Sequence, residues 1–327
     1  MRRLANLDPQ SMEQVIKLLE QARAEPRSVA VVAGGSDLLG MIKEGLLAPD
    51  TLLNLKSLKT LDTVAALPSG LRVGGLVTLE TLGHHSLIRS GYAVLAEAAE
   101  SVATPQIRNL ATLAGNICQR PWCWYFRRGF PCLKNEGDIC YSFGGENQLH
   151  AIFEGGPCYH TSPSDTAPAL LALEARFRIV GPAGERTIPA SEFFALPIRD
   201  VSRENVLEPD EVLAEIELPA APRGQRSAYT KVMDRQAWNH AVVSVAMALK
   251  MKAGVCQRAR IVLGGVAPIP WRLPEVEEML IRQRPVGELA ASAGRAAVRG
   301  AEPLSRNHYK VPLVEALVRR SLLSLVA

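Results

Sequence analysis

The chain has 327 residues, 47% hydrophobic and 21% charged, with a formal net charge of +4, a composition suited to soluble globular packing around one large core or two to three smaller ones. No apolar run approaches the roughly 20 residues of a membrane-spanning helix, and the positive charges form no block of five or six, which argues against a nucleic-acid surface. The start, MRRLANLDPQSMEQ, has two arginines with no apolar stretch behind them, so a cytoplasmic location is expected and the six cysteines point to metal or redox work rather than a disulfide framework.

In chain order, Ser11 with Gln14 three residues on, and Val15, Leu18 and Leu19 as an apolar face, predict a capping-box helix running to about Ala24. In SVAVVAGGSDLLGMIKEG, a β-branched run, the Gly34-Gly35 break, a cap at Ser36 and a helical DLLGMIK predict strand, glycine turn and helix. TLLNL is a short apolar segment. LRVGGLVTLETLGHH predicts a strand and a glycine turn leading into a helix capped near Thr78. The pattern from Leu95 to Val102 is helical, and ATLAGN at 111–116 predicts a second glycine-containing turn. Beyond a cysteine-rich stretch, SPSDTAPALLAL starts a helix at Ser164 or Asp165, ARFRIVGPAGERTIP forms a hairpin turning at Gly181 to Gly184, and EVLAEIELP alternates as a strand. The proline- and arginine-rich PAAPRGQRS at 219–227 is the best internal boundary. After it, YTKVMD, AVVSVAMALKM and ARIVLGGVA predict a three-stranded sheet, and 274–325 two or three helices.

Two features carry chemistry. The turn in VVAGGSDLL lets backbone amides approach a phosphate closely, although neither G-x-G-x-x-G nor G-x-x-x-x-G-K-[ST] is present. The second is a thiol cluster, with Cys118, Cys123, Cys132, Cys140 and Cys158 all within 117–158. No C-x2-4-C pair of the kind favoured by structural zinc occurs, and widely spaced thiolates on a long loop suit a larger iron–sulfur cluster. Arg120, Arg127, Arg128 and Lys134 could offset the negative charge of such a centre, while Trp122, Trp124, Tyr125 and Phe126 would exclude water. Spacing alone leaves iron–sulfur, zinc and no metal open. Cys256 reads as an ordinary buried or surface thiol, and the six histidines show no H-x3-H pattern.

The segments VVAGGSDLL, ATLAGNIC, SPSDTAPALLALEA, VLAEIELP, YTKVMDR, LGGVAPIPWRLPEVE and AEPLSRNHYKVPLVEALVRRSLL together resemble the FAD-binding medium subunit of the molybdenum hydroxylases, the xanthine dehydrogenase and carbon monoxide dehydrogenase family. Most members join GN to SD by a few residues, whereas this chain inserts about forty. The insertion, about 119–160, resembles the [4Fe–4S] loop of the 4-hydroxybenzoyl-CoA reductase β subunit and of bacterial aldehyde oxidoreductase FAD subunits. The resemblance implies an α+β fold. A two-subdomain FAD-binding domain of the PCMH and vanillyl-alcohol-oxidase type would span 1–220, followed over 225–327 by a small domain with a three-stranded antiparallel sheet and helices.

Carried over by position, Ala33, Gly34, Gly35, Ser36, Asp37 and Leu38 would bind the FAD diphosphate through backbone amides, with Ala111, Thr112, Gly115 and Asn116 as the second loop. Ser164 and Asp165 match contacts on the ribityl and flavin side, and Leu213 and Lys231 match contacts near the isoalloxazine. Cys118 would line the flavin, and Cys123, Cys132, Cys140 and Cys158 would be the cluster ligands. Ala114 stands where glycine is common, which restricts positive φ there. Because members without the insertion close the gap with a short loop, FAD is expected to stay bound when a cluster ligand is lost. The implied role is an electron-transfer subunit with no catalytic residue of its own, in an aldehyde, purine or aromatic-CoA type complex. Its partners would be a molybdopterin-binding large subunit, a [2Fe–2S] small subunit and an external electron acceptor or donor. A signal-bearing partner could carry the folded complex to the periplasm. The rival readings are a stand-alone FAD oxidoreductase and a zinc-stabilised, non-enzymatic binding module.

Overall fold

Three sheets organise the computed structural model, which describes residues 4–24, 28–235 and 239–327. Strands β1 (Ala5–Leu7), β2 (Val29–Val32) and β3 (Thr51–Asn54) form a small parallel sheet in the order β1-β3-β2. The helix Met12–Ala24 supplies the crossover that parallel strands need, burying Val15 and Leu19. Its cap differs from the predicted box in one bond. The Gln14 amide donates to Ser11 Oγ at 3.2 Å, but the Gln14 side chain accepts from the Gln10 amide at 2.8 Å instead of that of Ser11.

Strands β4 (Val64–Leu67), β5 (Gly70–Gly74), β6 (Arg176–Gly181), β7 (Gly184–Pro189) and β8 (Val212–Pro219) form an antiparallel sheet, ordered β4-β5-β8-β6-β7. The β6–β7 hairpin turns between Gly181 and Gly184, as the sequence predicts. A register shift at Arg178/Ile179 leaves Ala214 unopposed in β8. The bulge re-aims the strand: Val212 and Ala214 pack under the small parallel sheet, and Leu213, Ile216 and Leu218 enter the main core.

The last sheet contains β9 (Gln225–Val232), β10 (Val243–Lys252), β11 (Val255–Gly264) and the two-residue β12 (Trp271–Arg272). It is the expected antiparallel sheet with one short strand added at its edge. Along β10 the faces alternate, so that Ala246 and Ala248 join the main core while Val243, Val245, Met247 and Leu249 face the C-terminal helices. Those helices are Pro274–Leu280, Gly287–Ala296 and Lys310–Val326. The ATLAGN stretch is a short helix, Leu113–Ile117, and not a glycine turn, because Thr112 Oγ1 caps it by accepting the Gly115 amide at 3.2 Å. Ala114 is therefore helical and needs no positive φ.

Candidate functional site

The glycine turn sits against the backbone of Leu110 and Ala111, just ahead of the helix Leu113–Ile117. A Cβ on Gly34 would lie 2.1 Å from the Leu110 carbonyl oxygen and 2.9 Å from Ala111 Cα, while Gly35 has φ +73°. The two segments border a cleft made of two adjoining cavities of about 340 and 290 Å³. Ala33, Gly34, Gly35, Ser36, Asp37, Leu38, Thr112, Gly115, Cys118 and Leu213 line the larger. Ser36, Asp37, Ala111, Gly115, Asn116 and Asp165 line the second. The structure thus brings together most of the residues singled out from sequence. Ser164 and Lys231 line neither cavity and act from behind it.

Both connect to a buried polar scaffold. Asn116 Oδ1 accepts from Ser164 Oγ and from Thr166 Oγ1, each at 2.7 Å, tying the capped helix to the start of the helix Thr166–Ala172. Lys231 Nζ donates to Asp165 Oδ2 at 2.7 Å, with the side chains only 3% and 5% exposed, and also to the Ser101 carbonyl at 3.0 Å. Tyr229 donates its hydroxyl to Asp165 Oδ1 at 2.7 Å. Burial first, and then the Asp165 charge, hold the Tyr229 phenol well above its ordinary pKa. Sequence reasoning missed Tyr229, although its place two residues before Lys231 on β9 puts both on one face of the strand. It also missed Gln119, Asn239 and His240, which complete the cleft wall and carry no local signal, while Trp122, expected to shield the thiols, lines the cleft instead. The His240 ring lies 5.1 Å from that of Trp122, and burial lowers the His240 pKa.

The four thiols Cys123, Cys132, Cys140 and Cys158 line one small cavity together with Lys134 and His160. Its volume, about 10 Å³, suffices for roughly one water. Cys118 is not part of it; it lines the cleft, and burial pushes its thiol up to about 12. Cys158 donates to Cys140, which holds the Cys140 thiol down at about 5 and raises that of Cys158. Burial raises Cys123 to about 11 against the amides of Phe126 and Tyr125, which bond its sulfur. His150 Nε2 lies 3.3 Å from Cys123 Sγ and His160 Nδ1 3.5 Å from Cys158 Sγ. A further cavity of about 70 Å³, lined by Cys123, His150, His160, Asp165, Asn239 and His240, separates thiols from cleft. Among the described residues no group of three or more His, Cys, Asp and Glu side chains is arranged to hold a metal ion.

The cations around the thiols are directed differently from the sequence expectation. Arg127 pairs with Asp37 at 2.7 Å, and both Arg120 and Lys134 pair with Glu204, at 2.8 and 2.6 Å. Arg128 is exposed. Only Lys134 of the four lines the thiol cavity. Trp122 is 46% exposed and faces the cleft, whereas Tyr125 and Phe126 close over the thiols. No described helix is long and apolar enough to cross a membrane.

Residues 2–221 match the family described as the FAD binding domain in molybdopterin dehydrogenase, and residues 228–325 match the CO dehydrogenase flavoprotein C-terminal domain. The aldehyde oxidoreductase FAD-binding subunit PaoB of Escherichia coli strain K12 is 33% identical over 301 residues, 90% of either chain. The carbon monoxide dehydrogenase medium chain of Hydrogenophaga pseudoflava is 26% identical over 319 residues, 96% of this chain and 94% of that one. A solved structure of carbon monoxide dehydrogenase from the same organism matches 99% of this chain and 97% of its own with a TM-score of 0.78, at 26% identity.

Proposed function

Because the chain belongs to the FAD-binding subunits of the molybdenum hydroxylase family, we propose that it is the electron-transfer subunit of one such complex, with FAD in the double cleft and a [4Fe–4S] cluster on Cys123, Cys132, Cys140 and Cys158. The observation that carries this reading is the row of adjoining cavities running from the glycine turn to the four thiols. FAD, when bound, supplies one- and two-electron exchange, and the cluster one-electron exchange.

This chain's residues bind and orient. The segment Ala33–Leu38 meets a diphosphate through backbone, which Gly34 alone can bring so close to Leu110. Asn116 fixes Ser164 and Thr166 behind the ring-binding side. The Lys231–Asp165–Tyr229 triad keeps a charged pair dry and fixed at that wall. Around the thiols, the donor set fits a cluster in kind: four sulfurs face one cavity, and backbone amides of Tyr125, Phe126, Ser142, Tyr159 and His160 bond them.

The partners under this reading are a molybdopterin-binding large subunit and a [2Fe–2S] small subunit, which hold the substrate pocket and the first relay, and an external acceptor or donor. The purified chain is expected to show flavin absorbance over a broad iron–sulfur band and to turn over no aldehyde, purine or aromatic thioester alone. Replacing any one of Cys123, Cys132, Cys140 or Cys158 by Ser should lose or convert the cluster, and Cys118→Ser should keep it, as read by iron analysis and EPR of the reduced protein. Zinc in place of iron, or a cluster that depends on Cys118, would overturn the ligand set.

A further inference from the structure

Asp37 ends the glycine turn as the N-cap residue of the helix Leu38–Lys43, yet its carboxylate does not cap that helix. It accepts from Arg127 Nη2 at 2.7 Å and from the Arg120 amide at 2.9 Å, both of the cysteine loop. Arg127 is itself fixed to that loop, donating to the Pro121 and Arg120 carbonyls at 2.8 Å each, with its guanidinium 4.4 Å from the Trp122 ring, which lines the cleft. A second, apolar contact is independent of this pair. Met41, from the helix after the turn and 1% exposed, packs on Phe126 and Cys132. The loop's contributions thus come from positions 120–132, a stretch that contains the thiols Cys123 and Cys132.

From this geometry we infer that Arg127 is a positioning residue for the glycine turn, and that FAD binding and metal loading of the thiol loop are cooperative through Asp37–Arg127 and the Met41 contact. Bonds that pin Cys123 and Cys132 also pin Arg127 and Phe126, and with them the carboxylate and helix that shape the diphosphate end of the cleft. Linkage is reciprocal, so FAD in the cleft favours the metal-binding arrangement of the loop by the same factor. The independence expected from relatives that lack the insertion therefore does not extend to this chain, whose turn leans on the insertion itself.

The inference rests on the proposed cofactor pair, and one titration separates the two. FAD is titrated into wild-type full-length protein, stripped of flavin, in its iron-loaded form and after iron removal by a chelator. Stripping iron should raise the FAD Kd about tenfold, within the usual range of coupling between sites. In iron-loaded Arg127→Met and Asp37→Asn, FAD should bind more weakly, and the ratio of the two Kd values should fall toward one. A general loss of stability would not change that ratio. An iron-loaded wild type whose FAD Kd is unchanged on stripping overturns the coupling and leaves the cofactor assignment standing. A wild type that holds no iron overturns the cluster and the coupling together. Should Arg127→Met fail to fold, the wild-type comparison decides alone.

Discussion

At Gly34 one methyl group is enough to undo the cleft. Its Cβ would meet the Leu110 carbonyl oxygen at 2.1 Å, and backbone on both sides leaves neither partner free to yield. Gly35 is different: an added Cβ meets side chains and no backbone, Leu39 at 3.1 Å and Val32 at 3.5 Å, and the cost is the φ of +73°, about 1–2 kcal/mol for a side chain. Gly34→Ala should therefore purify without flavin, while Gly35→Ala should retain part of it, as read from flavin absorbance per chain. Lys310 is the other decisive single residue. Wholly buried, it donates to the carbonyls of Leu149, His150 and Gly265 at 2.9, 3.0 and 2.7 Å, and burial lowers its pKa from 10.5 to about 7. Between these values the unfolded chain binds the proton that the folded chain has lost, so this residue's contribution to stability rises with pH from about 7 to 10.5 and is level below. Lys310→Met strands three carbonyls and should cost about 3 kcal/mol at pH 7. Urea unfolding at pH 7 and at pH 10 should show the gap between wild type and variant widening at the higher pH, and a gap that narrows would reverse the assignment.

The cysteine loop is anchored at its far end by asparagines. Asn147, fully buried, donates to the Ser142 and Gly145 carbonyls and to Ser305 Oγ, and accepts the Arg306 amide. Asn307 donates to the carbonyls of His150 and Ala151. Asn147→Ala breaks all four bonds at once and should cost about 2 kcal/mol, with hydrogen exchange rising first across the loop and the 305–310 turn. Uniform change over the whole chain would instead mark a global effect. How far this element was legible follows from the range of its interactions. Number and spacing, which are local facts, marked the thiols as a group but left iron–sulfur, zinc and no metal open; the set of four without Cys118 came from the family resemblance, and those four line one cavity. The partners of the cations were not legible, since Arg127 finds Asp37 90 positions away and Lys134 finds Glu204 70 positions away, and no pattern in the loop encodes either. The same limit applies to ATLAGN: a glycine suggests a turn, but the Thr112 cap and the packing of Leu113 and Ile117 decide for a helix. The β6–β7 hairpin and the alternating strand EVLAEIELP, whose period is written in neighbouring residues, were legible, whereas of the β4–β5 hairpin only β5 was read as a strand.

At the scale of the molecule, the proline-rich segment at 219–227 precedes a core built almost wholly from the residues after it, but it does not confine the main core to one side. The main core contains Leu95, Ala98, Leu170 and Ile216 from before it, and Tyr229, Ala246, Ala248 and Val262 from after it. Hydrogen bonds cross in the same place: Val94 donates its amide to Ser227 Oγ, and Glu97 accepts the Tyr229 amide at 2.7 Å. The Asp165–Lys231 pair then sets one wall of the cleft from both sides of the segment. A chain ended at residue 221 would expose the apolar faces of the helices Ala93–Glu100 and Thr166–Ala172 and leave Asp165 buried without its cation, a loss of about 3–5 kcal/mol for the ion alone. Such a fragment should aggregate and retain no FAD. Full-length Lys231→Met isolates the electrostatic part: it keeps the shared core, so it should fold with lowered stability and bind FAD more weakly, and adding Asp165→Asn should restore part of the stability because the unpaired charge is gone. Size-exclusion chromatography with flavin absorbance on the fragment, and urea unfolding on the two full-length variants, separate core from charge. A monomeric 1–221 fragment that holds FAD would place the whole flavin site ahead of the segment and leave the C-terminal sheet as a cover.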